Sequence, residues 1–285
     1  MMQRPPRRDT EWARGIALIT VLWLISLLTL LASAAVTLSL TDRRAAAYLE
    51  EAVQADLASD SAIRLAELHL FGGRRAGESW FGGGPRNLSV SGRQIELTLE
   101  REAGRIDLND ADPQLLFALL AANGWDESRA RELASRIAAF RGDKQAPGTL
   151  DDRLRPAAES RRGRFGSVDQ LRQIPEGESL SSELLESLTV YTHASEPLES
   201  AAPPPVERAL KWADDHQLGG RRWRAAASTH ALAADSAADT LVGQVVRIGA
   251  CAQIGSQVRC RRAVIRPTGS PVHPLQVFEW SAAPP

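Results

Sequence analysis

The feature that most constrains this chain is a run of 26 residues, Ile16 to Thr41, that carries no charge (IALITVLWLISLLTLLASAAVTLSLT). As a helix rising ~1.5 Å per residue it extends about 39 Å, enough to cross a hydrocarbon core of about 30 Å. Arg4, Arg7, Arg8 and Arg14 precede it, opposed only by Asp9 and Glu11, and Asp42, Arg43 and Arg44 follow. A short arginine-rich leader keeps the N-terminus in the cytoplasm and sends the remainder across the membrane. Two other readings compete. A buried core helix fits poorly with so long an uncharged run beside an arginine cluster. A signal peptide cut after Ala34 has an A-x-A-like site, Ala32-Ser33-Ala34, in its favour. Against that cut, the apolar run continues past Ala34 and joins a second helical pattern. From Arg43 to Phe71 there is no proline or glycine, and apolar residues recur at 48, 52, 55, 58, 62 and 65. That spacing predicts a helix with one buried stripe, continuous with the apolar segment.

Beyond the helix the pattern changes. Gly72 to Arg86 reads as a loop or hairpin connection, and QIELTLER (94–101) alternates Ile95, Leu97 and Leu99 as a half-buried antiparallel strand. The next region is helical. Asp112-Pro113 starts a helix that Asn123-Gly124 ends, and Asp126 caps another running to about Arg141. Lys144 to Gly163 reads as a loop, SVDQLRQI from Ser167 and Leu180 to Leu188 as short helices, and Leu188 to Thr192 as a strand. Glu196 to Val206, with four prolines, is a connector, and Glu207 to Gln217 a further helix. LVGQVVRIGACAQI and QVRCRRAVIRP are strands joined by Gly255-Ser256, and LQVFEW (275–280) closes the chain.

Glycine first in a two-residue loop signals a type II′ hairpin. In that register Ile254 opposes Gln257, and Cys251 opposes Cys260 at a site without mutual hydrogen bonds. Cα atoms there lie about 4.5 Å apart, within reach of a disulfide, which an oxidising compartment would favour over two buried thiols.

Little else carries chemistry. The net charge of −1 advertises no polyanionic partner, and the five histidines are scattered without metal-ligand spacing. No phosphate loop, nucleophile elbow or zinc-protease motif occurs, so the chain reads as a non-enzyme. DLNDAD (107–112) superficially suggests a calcium loop but lacks its glycine and terminal glutamate, and capping explains it better. IDLNDADPQLLFALL with Asn109, and Phe165-Gly166-Ser167 with SVDQLRQIP, look like tandem helix-hairpin-helix modules, which in other settings bind DNA. Their hairpins are Asn123-Gly124-Trp125 and Glu176-Gly177-Glu178, the second acidic, and residues 104–190 hold 12 Lys+Arg against 15 Asp+Glu. That is the wrong electrostatic footprint for DNA. A membrane-tethered DNA-binding protein is therefore the second reading.

Arg14-Gly15 followed by IALITVLWLISLLTLLA resembles the leader and helix of type IV pilin-like proteins. The likeness implies prepilin-peptidase cleavage between Gly15 and Ile16, with methylation of the new N-terminus. Most such proteins have glutamate at the fifth mature position, where this chain has Thr20. That departure, and the helical insertion opening with GRIDLNDADPQLL, are similar to the K class of minor pseudopilins of the type II secretion system. The resemblance implies an α+β fold, a long helix packed on an antiparallel sheet with an all-α insertion. It divides the chain into a leader (1–15), a transmembrane half-helix (16–41), a periplasmic half-helix (42–71), a first part of the sheet (72–103), the insertion (104–190) and the remainder of the sheet (191–285). It implies a single-pass protein of a Gram-negative inner membrane at the tip of the periplasmic pseudopilus. Expected partners are minor pseudopilins of the I, J and H classes, the major pseudopilin, the inner-membrane assembly platform and prepilin peptidase. Some members of the class bind calcium, for which this sequence assigns no ligands.

The intact mass of the membrane-extracted protein should show the loss of residues 1–15; loss of residues 1–34, or no loss, contradicts this reading.

Overall fold

The computed structural model describes residues 10–71, 81, 84–142, 163–218, 241–270 and 272–284. The first nine leader residues, most of the glycine-rich segment 72–83 and the expected loop at 144–162 lie outside them. One helix, α1 (Thr10–Phe71), runs unbroken through the leader end, the apolar run and the amphipathic half. At ~1.5 Å per residue it is about 93 Å long.

Its second half packs on a five-stranded antiparallel sheet ordered β1-β2-β5-β6-β7, with β1 Arg86–Val90, β2 Arg93–Arg101, β5 Val246–Ile254, β6 Gln257–Pro267 and β7 Leu275–Ala283. Two tight turns fix the register. Ser91 and Gly92 both have positive φ (52° and 79°), as a type I′ turn requires, and Gly255 sits at +57°. The second turn pairs Ile254 with Gln257 and Cys251 with Cys260, whose Cα atoms are 4.1 Å apart and whose sulfurs are bonded.

Period-two alternation decides which face is buried. Ile95, Leu97 and Leu99 of β2 line up with Val246, Ile248 and Ala250 of β5 and Ala263 and Ile265 of β6, all buried against α1. From α1 come Ala55, Ala62, Ile63, Ala66 and Leu70, spaced by about one turn. Three of the five are alanine, so the helix backbone lies close to the sheet. The buried phase is 52, 55, 59, 62 and 66, with Ser59 rather than Ala58 fully buried and donating its hydroxyl to the Arg259 carbonyl at 3.0 Å. Tyr48, expected in this stripe, is 54% exposed. The reason lies at Glu51, whose carboxylate accepts from Ser256 N–H at 3.2 Å. The sheet ends at this hairpin tip, so Tyr48 projects beyond it.

A helical lobe with its own core is inserted between β2 and β5. It opens with a short turn (Glu102–Gly104) and β3 (Ile106–Asp107), followed by α2 (Pro113–Ala122) and α3 (Glu127–Phe140). Asp112 and Asp126 cap these helices, accepting from Gln114 N–H and from Ser128 and Arg129 N–H. Residues 168–173 are 3₁₀ rather than α-helical, and the helix expected over 180–188 shrinks to α4 (Ser182–Glu186). The strand expected over 188–192 is only β4 (Leu188–Thr189), paired in parallel with β3 and separate from the large sheet. Its continuation bends because Thr192 and His193 turn their N–H groups onto the buried Asp107 carboxylate.

Two further differences concern elements the sequence concealed. Strand β1 lies beyond the segment read as a connection, and its Leu88 and Val90 are only partly covered. Helix α5 (Pro204–Asp215) starts inside the proline-rich connector, with prolines at its first positions, where no N–H bond is lost. Val206 and Ala209 enter the helical core, so that lobe reaches past residue 190 into the segment expected to belong to the sheet.

Replacing Ala62 by Leu should lower unfolding free energy by about 1–3 kcal/mol through overpacking, whereas exposed Leu57→Ala should stay within about 0.5 kcal/mol. Urea unfolding of the detergent-solubilised full chain measures both.

Candidate functional site

Two regions of the molecule stand out from an ordinary packed domain: the exposed faces of α1, and the junction between sheet and helical lobe. On α1, Leu18–Val36 is long and apolar enough to cross a membrane, with a mean hydropathy of 2.3, and none of it is buried against the rest of the chain. Gly15 and Ile16 lie within the continuous helix, and Thr20 stands on it near the start of the exposed apolar segment. Ser26 and Thr29 donate their hydroxyls to the Leu22 and Ser26 carbonyls (2.8 Å each), so neither adds an unsatisfied polar group. Past the apolar segment the side of α1 turned away from the sheet still carries Leu49, Val53, Leu57 and Leu68, each 49–67% exposed. The spacing 49, 53, 57 makes a single ridge along the helix, the arrangement that packs against another helix.

At the junction, charge replaces apolar packing. Arg247, on the sheet face opposite α1, makes a two-pronged contact with fully buried Glu102 (2.7 and 2.8 Å) and reaches Glu186 at 2.8 Å. Arg262 binds the other oxygen of Glu186 at 2.6 Å. Arg105 donates to the Glu186 carbonyl at 2.7 Å and pairs with Glu100. Three arginines and three glutamates, drawn from β2, the 102–105 turn, α4, β5 and β6, thus close on one another. Burial pushes the Glu102 carboxyl up, but Arg247 beside it outweighs that and holds it below its ordinary value of 4.5. Burial likewise opposes the charge on Arg247, and Glu102 more than restores it. Alongside, Tyr191 stacks on Phe278 and donates to Glu279 at 3.2 Å. Burial and the Glu279 carboxylate raise its hydroxyl to about 12.

The DLNDAD segment is structural. Asp107 accepts from Asn109 N–H, Thr192 N–H, the Thr192 hydroxyl and His193 N–H at 2.8–3.1 Å. Asp110 pairs with Arg164 and lies 3.4 Å from His193 Nδ1. Asp107, Asp110 and His193 are close enough to share a cation. Calcium, however, takes six to eight oxygen ligands. Here the buried carboxylate is filled by N–H and O–H donors, and an arginine occupies the second, so the residues do not fit it.

The helix-hairpin-helix hairpins are also committed internally. Gly124 and Trp125 N–H bond to Ala121 and Leu120 carbonyls, and Gly177 N–H to Ile174. A Cβ on Gly177 would lie 2.0 Å from the Leu171 carbonyl oxygen, so glycine is needed there for packing rather than for phosphate approach. Glu176, in the second hairpin, pairs with Arg129 at 3.3 Å. Asn109 locks onto Phe165 through both amide atoms, at 2.6 and 3.0 Å.

Sequence reasoning found the long apolar helix, the facing cysteines and the helical insertion. It missed the Glu102–Arg247–Glu186 cluster, whose members are 145 and 61 residues apart. The one local signal was Arg247 at an interior strand position.

No family model and no curated protein matches the sequence. Among solved structures, the fold is similar to a chain of the GspK-GspI-GspJ complex from the enterotoxigenic Escherichia coli Type 2 Secretion System. The TM-score is 0.55 at 15% identity, covering 86% of this chain and 100% of that one. The likeness is one of fold: a long N-terminal helix, an antiparallel sheet and a helical region.

Glu102→Gln should lower stability at pH 7 by about 3–5 kcal/mol, because buried Arg247 loses its two-pronged partner and keeps only the partly exposed Glu186. The sign in acid follows from the lowered carboxyl. Its stabilisation is present above its ordinary value of 4.5 and is lost as pH falls through the lower folded value. The wild type should therefore lose stability in acid more steeply than the variant, as thermal unfolding between pH 2 and 7 would show.

Proposed function

We propose that this chain is a K-class minor pseudopilin of a type II secretion system, placed at the tip of the periplasmic pseudopilus, where it starts assembly. The single observation that carries this reading is the combined architecture. A helix that is bare and apolar in one half and packed on a sheet in the other is joined to a helical lobe inserted between strands of that sheet. The fold similarity, which covers 100% of the solved chain and 86% of this one, supports this reading, since that chain comes from a GspK-GspI-GspJ complex. In this reading prepilin peptidase cuts between Gly15 and Ile16, and α1 anchors the protein in the inner membrane with its domain in the periplasm. The I- and J-class pseudopilins then dock along the ridge of Leu49, Val53 and Leu57, with an H-class subunit, the major pseudopilin and the assembly platform following.

Thr20 gives the tip position a physical basis. In pilin-like fibres the fifth-residue carboxylate of an incoming subunit pairs with the amine of the subunit above it. A first subunit has none above. An unpaired carboxylate in lipid is penalised by several kcal/mol or neutralised. Threonine avoids this, and the amine of Ile16 still receives the next subunit. The DNA-binding reading loses support from the hairpins, whose Gly124, Trp125 and Gly177 N–H groups are bonded within the lobe.

In a strain lacking the native gene, wild-type chain should restore secretion, Gly15→Val should fail to be processed, and Thr20→Glu should restore secretion poorly. Full restoration by Thr20→Glu contradicts the role given to that position.

A further inference from the structure

Between its apolar segment and the sheet, α1 passes through a bare stretch. Every residue from Asp42 to Glu50 is exposed, and the domain begins only at Glu51, which meets Ser256 of the β5–β6 turn. The height of this stretch above a bilayer follows from the helix. Leu18–Val36 rises about 28 Å, close to the ~30 Å of a hydrocarbon core, and headgroups add about 5–7 Å on each side. Arg43 and Arg44 stand about 10–12 Å beyond Val36 along the axis. With the whole uncharged run to Thr41 submerged, they stand only about 3–5 Å beyond the hydrocarbon.

Side-chain direction brings both placements to the same level. The Cα–Cβ bonds of a helix tilt toward its N-terminus, here the membrane side, and a long arginine stem carries its guanidinium further that way. Phosphate oxygens of the headgroup layer are then within reach, and a planar guanidinium meets phosphate through two hydrogen bonds. Unlike Arg247, Arg261 and Arg262 on the sheet, neither Arg43 nor Arg44 has a carboxylate partner among the described residues. Asp42 is the single acid between Val36 and Tyr48, so this stretch carries net positive charge. The next acids are both engaged, Glu50 accepting from Gln54 at 3.0 Å and Glu51 from Ser256. Exposed Tyr48 lies one turn above Arg44, and its amphipathic ring suits the boundary between headgroups and water.

We infer that Arg43 and Arg44 bind the phosphate of anionic phospholipid, with Tyr48 against the headgroup layer above them. Because α1 is unbroken from the apolar segment to the sheet, this contact fixes the height of the domain over the membrane. The inference rests on the proposed reading of α1 as a membrane anchor and is independent of the ridge that meets other pseudopilins.

The test is native mass spectrometry of the full chain in detergent micelles doped equally with phosphatidylglycerol and phosphatidylcholine. Lipid adducts on the wild type should be mainly phosphatidylglycerol. Arg43→Gln and Arg44→Gln should each lower that adduct about fivefold, while Lys211→Gln, on exposed α5, leaves it unchanged. Flotation with phosphatidylglycerol vesicles separates the two levels of the argument. A chain that does not float contradicts the anchor and this inference together. A chain that floats but holds both lipids equally, or whose adducts ignore both arginine substitutions, overturns this inference alone.

Discussion

The structure depends on the seam between α1 and the sheet, where one helix changes from an exposed apolar half to a half packed on strands. From Leu18 to Val36 it exposes mostly apolar side chains on every side, over a length sufficient to cross a membrane. From Ala52 onward one face is alanine-rich and lies against β2, β5 and β6. Alanine contributes little area by itself, but it lets the helix approach until Ile63 and Leu70 reach the branched side chains of the strands. Polar groups pin the edges of the seam. Asp60 holds Arg261 and the Trp280 indole at 3.0 Å each, and Arg93 reaches Gln54 at 2.7 Å. Among the described residues α1 supplies most of the apolar cover on that side of the sheet, so helix and sheet share one core.

The opposite face of the sheet is handled differently. It carries Glu96, Glu100, Arg247, Arg262 and Glu279, a set that no apolar helix could cover. The helical lobe meets it with Arg105 and Glu186, and buried Glu102 comes from the turn that leads into the lobe. Buried ion pairs are weak sources of net stability, since desolvation offsets most of the attraction. What this cluster supplies is orientation: a two-pronged arginine fixes where the lobe sits on the sheet. The parallel bridge between β3 and β4, and the Asp107 carboxylate that gathers Thr192 and His193, then set how the chain enters and leaves the lobe.

Legibility in the sequence followed the range of the interactions. The long helix, the capped pair α2 and α3, and the Gly255-Ser256 hairpin with its facing cysteines rest on local rules, and could be read from neighbours a few residues apart. The phase of the α1 stripe was misplaced at Tyr48 because the point where the sheet begins is set by a hairpin some 200 residues later, at Ser256. Helix α5 was started late because its prolines look like a connector until α2 is there to receive Val206. The two-residue strand β4 has no sequence signature, since its partner β3 lies more than 80 residues earlier. Of the candidate site, the apolar helix was visible from the absence of charge alone. The ridge of Leu49, Val53 and Leu57 was not, because a sequence cannot say which of two apolar faces the sheet will take.

In the function proposed above, this chain joins minor pseudopilins through that ridge and the helix that carries it. Native mass spectrometry of the full chain, co-expressed with the I- and J-class pseudopilins of the same organism and extracted from membranes, tests it most directly. The account predicts one complex containing all three chains, lost in the Val53→Asp/Leu57→Asp variant while that variant keeps its own melting temperature. A chain that is recovered alone, or a complex indifferent to those substitutions, would contradict it.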